Sequence, residues 1–157
     1  MSSCFGILVL RKAGHDASSL AREGLRFTHV RNPKQRWEGV SLGLEDCIFC
    51  KIAKGEIGAL VYEDEFVAAF NDLNAQAPVH VLIVPKKHIA RLSDVTDNED
   101  ACIMGKVLLA ANKIAAERGI AEEGYRVVVN CNEGAGQSVW HVHFHLLGGR
   151  KLGWPPG

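Results

Sequence analysis

The stretch GQSVWHVHFHLLGG, residues 136–149, holds three of the chain's seven histidines, His141, His143 and His145, at every second position of an apolar run. Side chains of a β-strand alternate between its two faces. A strand here puts the three imidazoles on one face, spread over roughly 13 Å at about 3.3 Å per residue. Trp140, Val142, Phe144 and Leu146 then share the other face, which is apolar enough to lie under a helix. The histidine face is expected to meet a groove or solvent. A single strand histidine needs no more than local hydrogen bonds. Three in strict alternation need a stronger reason, because like charges repel and depress each pKa. Two settings suit neutral imidazoles in a row. One is a metal site, where they donate lone pairs. The other is a phosphate site, where imidazole serves as nucleophile, proton donor or anion partner. Gly134, Gly136, Gln137 and Ser138 lie just upstream. Small residues let backbone N–H groups approach an anion, and Ser138 adds a hydroxyl.

Working outward, YRVVVNCN (125–132) is β-prone and EGAGQS (133–138) is a glycine-rich loop. The segment TDNEDACIMGKVLLAANKIAAERG (96–119) predicts a long helix over 97–118. Thr96 with Glu99 fits a capping box. Met104, Val107, Leu108, Ala111 and Ile114 make one apolar face, and Gly119 suits a left-handed stop. VHVLIVPKKH (79–88) predicts a strand ending near Pro85. ALVYEDE and FVAAFND (59–72) predict two strands around an acidic turn. DCIFCKIAKGE (46–56) predicts a short helix closed by Gly55. A long helix on one face of a mostly antiparallel sheet is an α+β layout.

The length of 157 residues fits one domain. Lys and Arg number 18, as do Asp and Glu, so net charge offers no nucleic-acid signal. Residues 1–44 carry seven basic and three acidic residues, a net of +4, and residues 45–157 carry eleven and fifteen, a net of −4. That first segment reads as an N-terminal extension, disordered or loosely docked, or as a transit peptide. No apolar run reaches the roughly 20 residues of a membrane span. Five cysteines without a framework argue against a disulfide-stapled secreted domain. Cys47 and Cys50 have the spacing of zinc and redox sites, and His88 and His141 could complete a four-ligand zinc set. The alternative is two small thiols beside an apolar slot.

The segments HVHFHLL, DCIFCKIAKGEI, FNDLNAQAPVHVLIVPKKHI and GYRVVVNCNEGAGQSVWHVHFHLLGGRKLGWPPG together resemble the histidine-triad (HIT) superfamily, in its Hint branch of nucleotide-binding proteins. The resemblance spans about residues 45–157. It implies a HIT domain with a five-stranded antiparallel sheet, one long and one short helix. It also implies a homodimer whose sheets join into ten strands, with the long helix at the interface. The implied activity is hydrolysis of purine nucleoside 5′-phosphoramidates through a nucleotidyl-histidine, releasing nucleoside monophosphate. His143 would be the nucleophile, oriented by the His141 carbonyl. His145 and Gln137 would contact phosphate oxygens, and Asn130 phosphate or sugar. Ser138 would sit near the departing nitrogen, and His80 would support the row from the neighbouring strand. Asp72 would bind the ribose hydroxyls, a solvated turn residue being the other reading. Ile48, Phe49, Ile52, Ile57 and Leu73 would form the base slot, unless they are plain core. Trp154, in the tail, would reach toward the partner's site.

Some relatives with CIFC at this place hold a structural zinc, whereas others lack the cysteines and fold without metal. No cofactor is therefore expected for catalysis. The resemblance leaves two alternatives to the phosphoramidase: a dinucleoside-polyphosphate hydrolase and a regulatory nucleotide-binding module. Neither a nucleic acid nor a membrane is an expected partner. The cytoplasm is the expected location, with mitochondria the alternative if residues 1–44 direct import.

Overall fold

A computed structural model describes residues 46–156. The expectations for residues 1–44 fall outside them. The elements run α1 (Ile48–Ala53), β1 (Tyr62–Glu63), β2 (Val67–Asn71), β3 (Val79–Pro85), α2 (Asn98–Glu117), β4 (Tyr125–Val129) and β5 (Phe144–Gly148). All five strands pair antiparallel in one sheet, in the order β1-β2-β3-β5-β4. This is the α+β, HIT-like five-stranded arrangement expected from the sequence.

Strand alternation divides the sheet into two apolar faces. Val67, Ala69, Val81, Ile83, Phe144 and Leu146 pack under Ile103, Met104, Val107, Ala111 and Ile114 of α2. Ala68, Phe70, Leu82 and Val84 meet Phe49 and Ala53 of α1 on the other side. Each fully buried Val, Leu or Ile contributes about 1.5–3 kcal/mol relative to exposure. The apolar periodicity of α2 holds except at Leu108, which is 48% exposed beside Leu109 at 57%. The N-cap is Asp97, whose side chain accepts from the Asp100 N–H at 2.8 Å. Asp97 thus takes the place expected for Thr96, since its carboxylate reaches the orphan amide one position later. Gly119 has the expected left-handed backbone, with φ +70°. Among the described residues no helix is long and apolar enough to cross a membrane.

The histidine run departs from the expected strand. β5 begins at Phe144, so His141 and His143 precede the ladder. Pro85 ends β3 and has no N–H to continue the pairing. The Val142 N–H instead donates to the Ile89 carbonyl at 2.6 Å. A tight turn, with the His141 N–H on the Val139 carbonyl at 2.9 Å, swings Trp140 out of the apolar face. Trp140 is 40% exposed, with the Arg91 guanidinium 6.0 Å from its ring. Val142, Phe144 and Leu146 keep their places in the core.

Candidate active site

The imidazoles sit on the α1 side of the sheet, where Phe49 of α1 packs against His141 and His143. His141, His143 and His80 are buried, so the face expected to meet a groove or solvent does not lie open to solvent. Phe49 supplies the cover: its ring stands edge-on to His143, with centroids 5.2 Å apart. The His143–His145 and His80–His145 centroid distances are 5.1 and 5.2 Å. In the β3–β5 register Leu82 opposes His145 and Leu147 opposes His80, so the two histidines are diagonal neighbours on one face.

Hydrogen bonds assign a proton to each ring. A carbonyl can only accept, and His143 Nδ1 lies 2.7 Å from the His141 carbonyl. Nδ1 therefore carries the proton and Nε2 carries a lone pair. That Nε2 has no hydrogen-bond partner among the described residues, and it is not fully enclosed, unlike the Nε2 of His145. For His80, the Gln76 backbone N–H donates to Nδ1 at 3.1 Å. Nε2 of His80 must then bear the proton. It lies 2.9 Å from His145 Nδ1 and 3.2 Å from Asp72 Oδ2. His145 Nδ1 accepts, so its Nε2–H is a donor, buried and without a protein partner. Burial, with His143 and His80 close by, pushes the His145 pKa down to about 4, Asp72 opposing. The ring is neutral at pH 7. A neutral His145 is thus equipped to donate one hydrogen bond from Nε2 and carries no charge.

Asp72 is half-buried beside this pair, with its Oδ1 accepting the Asn74 N–H at 2.8 Å. Its link to His80 was not foreseen in the sequence, where Asp72 read as a ribose ligand or a turn residue. Ser138 is exposed and Asn130 half-buried. The Asn130 amide nitrogen lies 3.9 Å from where a Cβ on Gly136 would stand, so the two face each other across the loop. Gln137 corrects an expectation. Its amide donates to the Ala90 and Val139 carbonyls at 2.7 and 3.0 Å and accepts the Asn132 N–H at 2.9 Å. The side chain is spent on bracing the loop and has nothing left for a phosphate.

Of the expected base slot, Phe49 is core, packed 5.3 Å from Phe70 between ring centroids, and Ile52 is half-buried. Ile48, Ile57 and Leu73 are exposed. Trp154 is 85% exposed in the tail and contributes nothing to this chain's own imidazole cluster.

Cys47, Cys50, His88 and His141 converge, with their four donor atoms within 4.8 Å of one another. Cys47 Sγ and Cys50 Sγ lie 3.4 and 3.5 Å from His141 Nδ1, and Cys50 Sγ lies 3.3 Å from His88 Nδ1. A tetrahedral zinc with bonds of about 2.3 Å to sulfur and 2.0–2.1 Å to nitrogen spaces such atoms about 3.5 Å apart. His141 Nε2 donates to the Pro85 carbonyl at 2.8 Å, which leaves the Nδ1 lone pair facing the thiols. Burial pushes the His141 pKa down to about 4, so the ring is in the neutral, ligating form. Burial also raises the Cys50 thiol to about 11, with a hydrogen bond involving Cys47 adding to the rise. The donor set fits a divalent metal that would displace those protons.

Five antiparallel strands thus carry a covered row of imidazoles beside a glycine-rich loop. The HIT domain profile matches residues 55–152, and the chain belongs to the HIT domain family. An uncharacterized HIT-like protein of Synechococcus elongatus is 51% identical over 114 residues, 72% of this chain and 98% of that protein. The purine nucleoside phosphoramidase of Escherichia coli K12 is 46% identical over 110 residues, 69% of this chain and 92% of the enzyme. The crystal structure of a HIT family hydrolase from Legionella pneumophila superposes with a TM-score of 0.68 at 51% identity, covering 71% of this chain and 100% of that one.

Proposed function

We propose that this chain hydrolyses purine nucleoside 5′-phosphoramidates to a nucleoside monophosphate and an amine. The observation that carries the reading is the 2.7 Å bond between His143 Nδ1 and the His141 carbonyl, which leaves Nε2 as a nucleophile. Nε2 attacks the α-phosphorus. A phosphorus–nitrogen bond to the protein forms, the one to the amine breaks, and the amine leaves on taking a proton from solvent. Water then attacks the nucleotidyl-histidine, gives one proton back to solvent and releases the monophosphate, restoring neutral His143. The His145 Nε2–H offers a donor for the charge building on a non-bridging oxygen. Asp72 takes the ribose hydroxyls, Asn130 the phosphate or sugar, Ser138 a place near the departing nitrogen, and Ile48, Ile52, Ile57 and Leu73 the base. The scheme uses no cofactor. The likeness to the Escherichia coli phosphoramidase supports the phosphorus–nitrogen class of substrate. Steady-state turnover of adenosine 5′-phosphoramidate is expected to exceed that of a diadenosine polyphosphate by at least about a hundredfold in kcat/KM. Preference for the polyphosphate sinks the reading, and no turnover of either favours a binding module.

The Cys47–Cys50–His88–His141 cluster is assigned a structural zinc, in support of the fold rather than the chemistry. A homodimer is also proposed. β4 lies at the sheet edge, and Leu108 and Leu109 are exposed on α2. Light scattering is expected to give twice the monomer mass, and Leu109→Glu to lower it. A monomeric wild type at micromolar concentration rules the dimer out. A cytoplasmic setting is proposed, with residues 1–44 carrying the mitochondrial alternative.

A further inference from the structure

Gln76 lies in the loop joining β2 to β3, and both its backbone polar groups are engaged. Its N–H donates to His80 Nδ1 at 3.1 Å. Its carbonyl accepts two bonds from Arg150, from Nε at 3.2 Å and from Nη2 at 3.1 Å. Arg150 stands two residues beyond the end of β5, and its Nη1 also donates to the Lys151 carbonyl at 3.1 Å. Gly149 lets the tail cross the loop closely: it has φ +79°, and a Cβ there would lie 3.1 Å from Pro78 Cβ. Arg126 Nη2 holds the same tail through the Gly153 carbonyl at 2.6 Å.

We propose that Arg150 is a positioning residue: its two-pronged grip on the Gln76 carbonyl keeps the Gln76 N–H on His80 Nδ1, and so fixes His80 and His145 in their Nε2–H tautomers. A neutral imidazole has one donor and one acceptor nitrogen. With an N–H aimed at Nδ1, His80 can offer only a proton at Nε2. His145 Nδ1 receives it, and His145 presents its own Nε2–H inward. If residue 76 drifts, His80 is free to carry its proton on Nδ1. His145 then donates from Nδ1 to His80, and its Nε2 turns a lone pair toward the anion. The donor becomes a repulsive acceptor. Losing one such donor outright costs about 10²–10³ in kcat. Asp72 Oδ2, 3.2 Å from His80 Nε2, still favours the original tautomer. The loss on removing Arg150 is therefore set at about tenfold, from a mixed population.

The kinetic half of this proposal rests on the phosphoramidase reading; the tautomers do not. The test uses full-length protein labelled with ¹⁵N at histidine. Long-range ¹H–¹⁵N spectra are compared for wild type, Arg150→Ala and Arg150→Lys, beside steady-state kinetics on adenosine 5′-phosphoramidate. Wild type is expected to show pure Nε2–H patterns at His80 and His145. Arg150→Ala is expected to show averaged patterns, with kcat down about tenfold and KM within about twofold. Arg150→Lys, with one ammonium in place of the fork, should recover part of both. Unchanged Nε2–H patterns in Arg150→Ala overturn the proposal, as does an Nδ1–H pattern in wild type or a wild-type kcat in the variant. Should Arg150→Ala lose its folded spectrum, the Arg150→Lys comparison decides by the same criteria. A wild type that fails to turn over the phosphoramidate sinks the functional reading and leaves the tautomer comparison intact.

Discussion

His143→Ala is expected to lower kcat on adenosine 5′-phosphoramidate by about 10⁴-fold or more, while the affinity for AMP stays within about threefold. The two numbers separate because bond formation and nucleotide binding rest on different groups. In the proposed mechanism the His143 Nε2 forms the covalent bond to phosphorus, and no neighbouring imidazole is placed to replace it. His145 offers a proton at Nε2, His80 is turned away toward His145, and His141 faces the thiols. Removing a nucleophile typically costs on the order of 10⁴–10⁶ in rate. In that reading the monophosphate is held by groups the substitution leaves in place, Asp72, Asn130 and His145 among them. Acid quenching of the wild type during turnover should leave one nucleotide bound per active chain. Peptide mapping should locate it on His143. A variant that retains a tenth of the wild-type rate, or a trapped nucleotide on another residue, removes the mechanism.

The second large effect concerns the cysteine–histidine cluster. Protein purified without chelator is expected to hold close to one zinc per chain, and Cys50→Ser close to none. At free zinc a thousandfold above Kd, binding stabilises the folded state by about 4 kcal/mol. For a domain of this size that corresponds to a Tm lower by roughly 15 °C when the metal is stripped. Turnover measured well below the transition should change less than twofold, because the cluster and the nucleophile share no side chain. Equal Tm values for chelated and zinc-supplemented wild type would mean that the four groups merely hydrogen-bond to one another.

The fold was legible because its signals are local and periodic. The β-prone run before Pro85, the turn residues near Asp64 and the spacing in α2 each mark an element without help from the rest of the chain. The cap of α2 was misplaced by one residue because Thr96 and Asp97 are both good caps, and only the φ of −126° and the bond from the Asp100 N–H distinguish them. Trp140 was misassigned because strict alternation takes no account of a turn at Val139–His141. His80 entered only through the family resemblance, whereas the alternation of His141, His143 and His145 could be read from the sequence. Their burial could not, since it depends on Phe49, about a hundred residues earlier in the chain. Gln76 and Arg150 left no signal at all. The contribution of Gln76 comes from its backbone, which every residue but proline shares. Arg150 acts on a carbonyl 74 positions away.

His141 contributes to two places by two different routes. Its ring joins the thiols, and its peptide oxygen orients the ring of His143, the proposed nucleophile. An oxygen of the main chain survives any change of side chain. A lineage that shed both cysteines could therefore exchange the imidazole at position 141 for another residue and still keep its nucleophile correctly aimed. The choice of side chain at position 141 thus answers to the thiols and the surrounding packing, not to the aiming of the neighbouring ring.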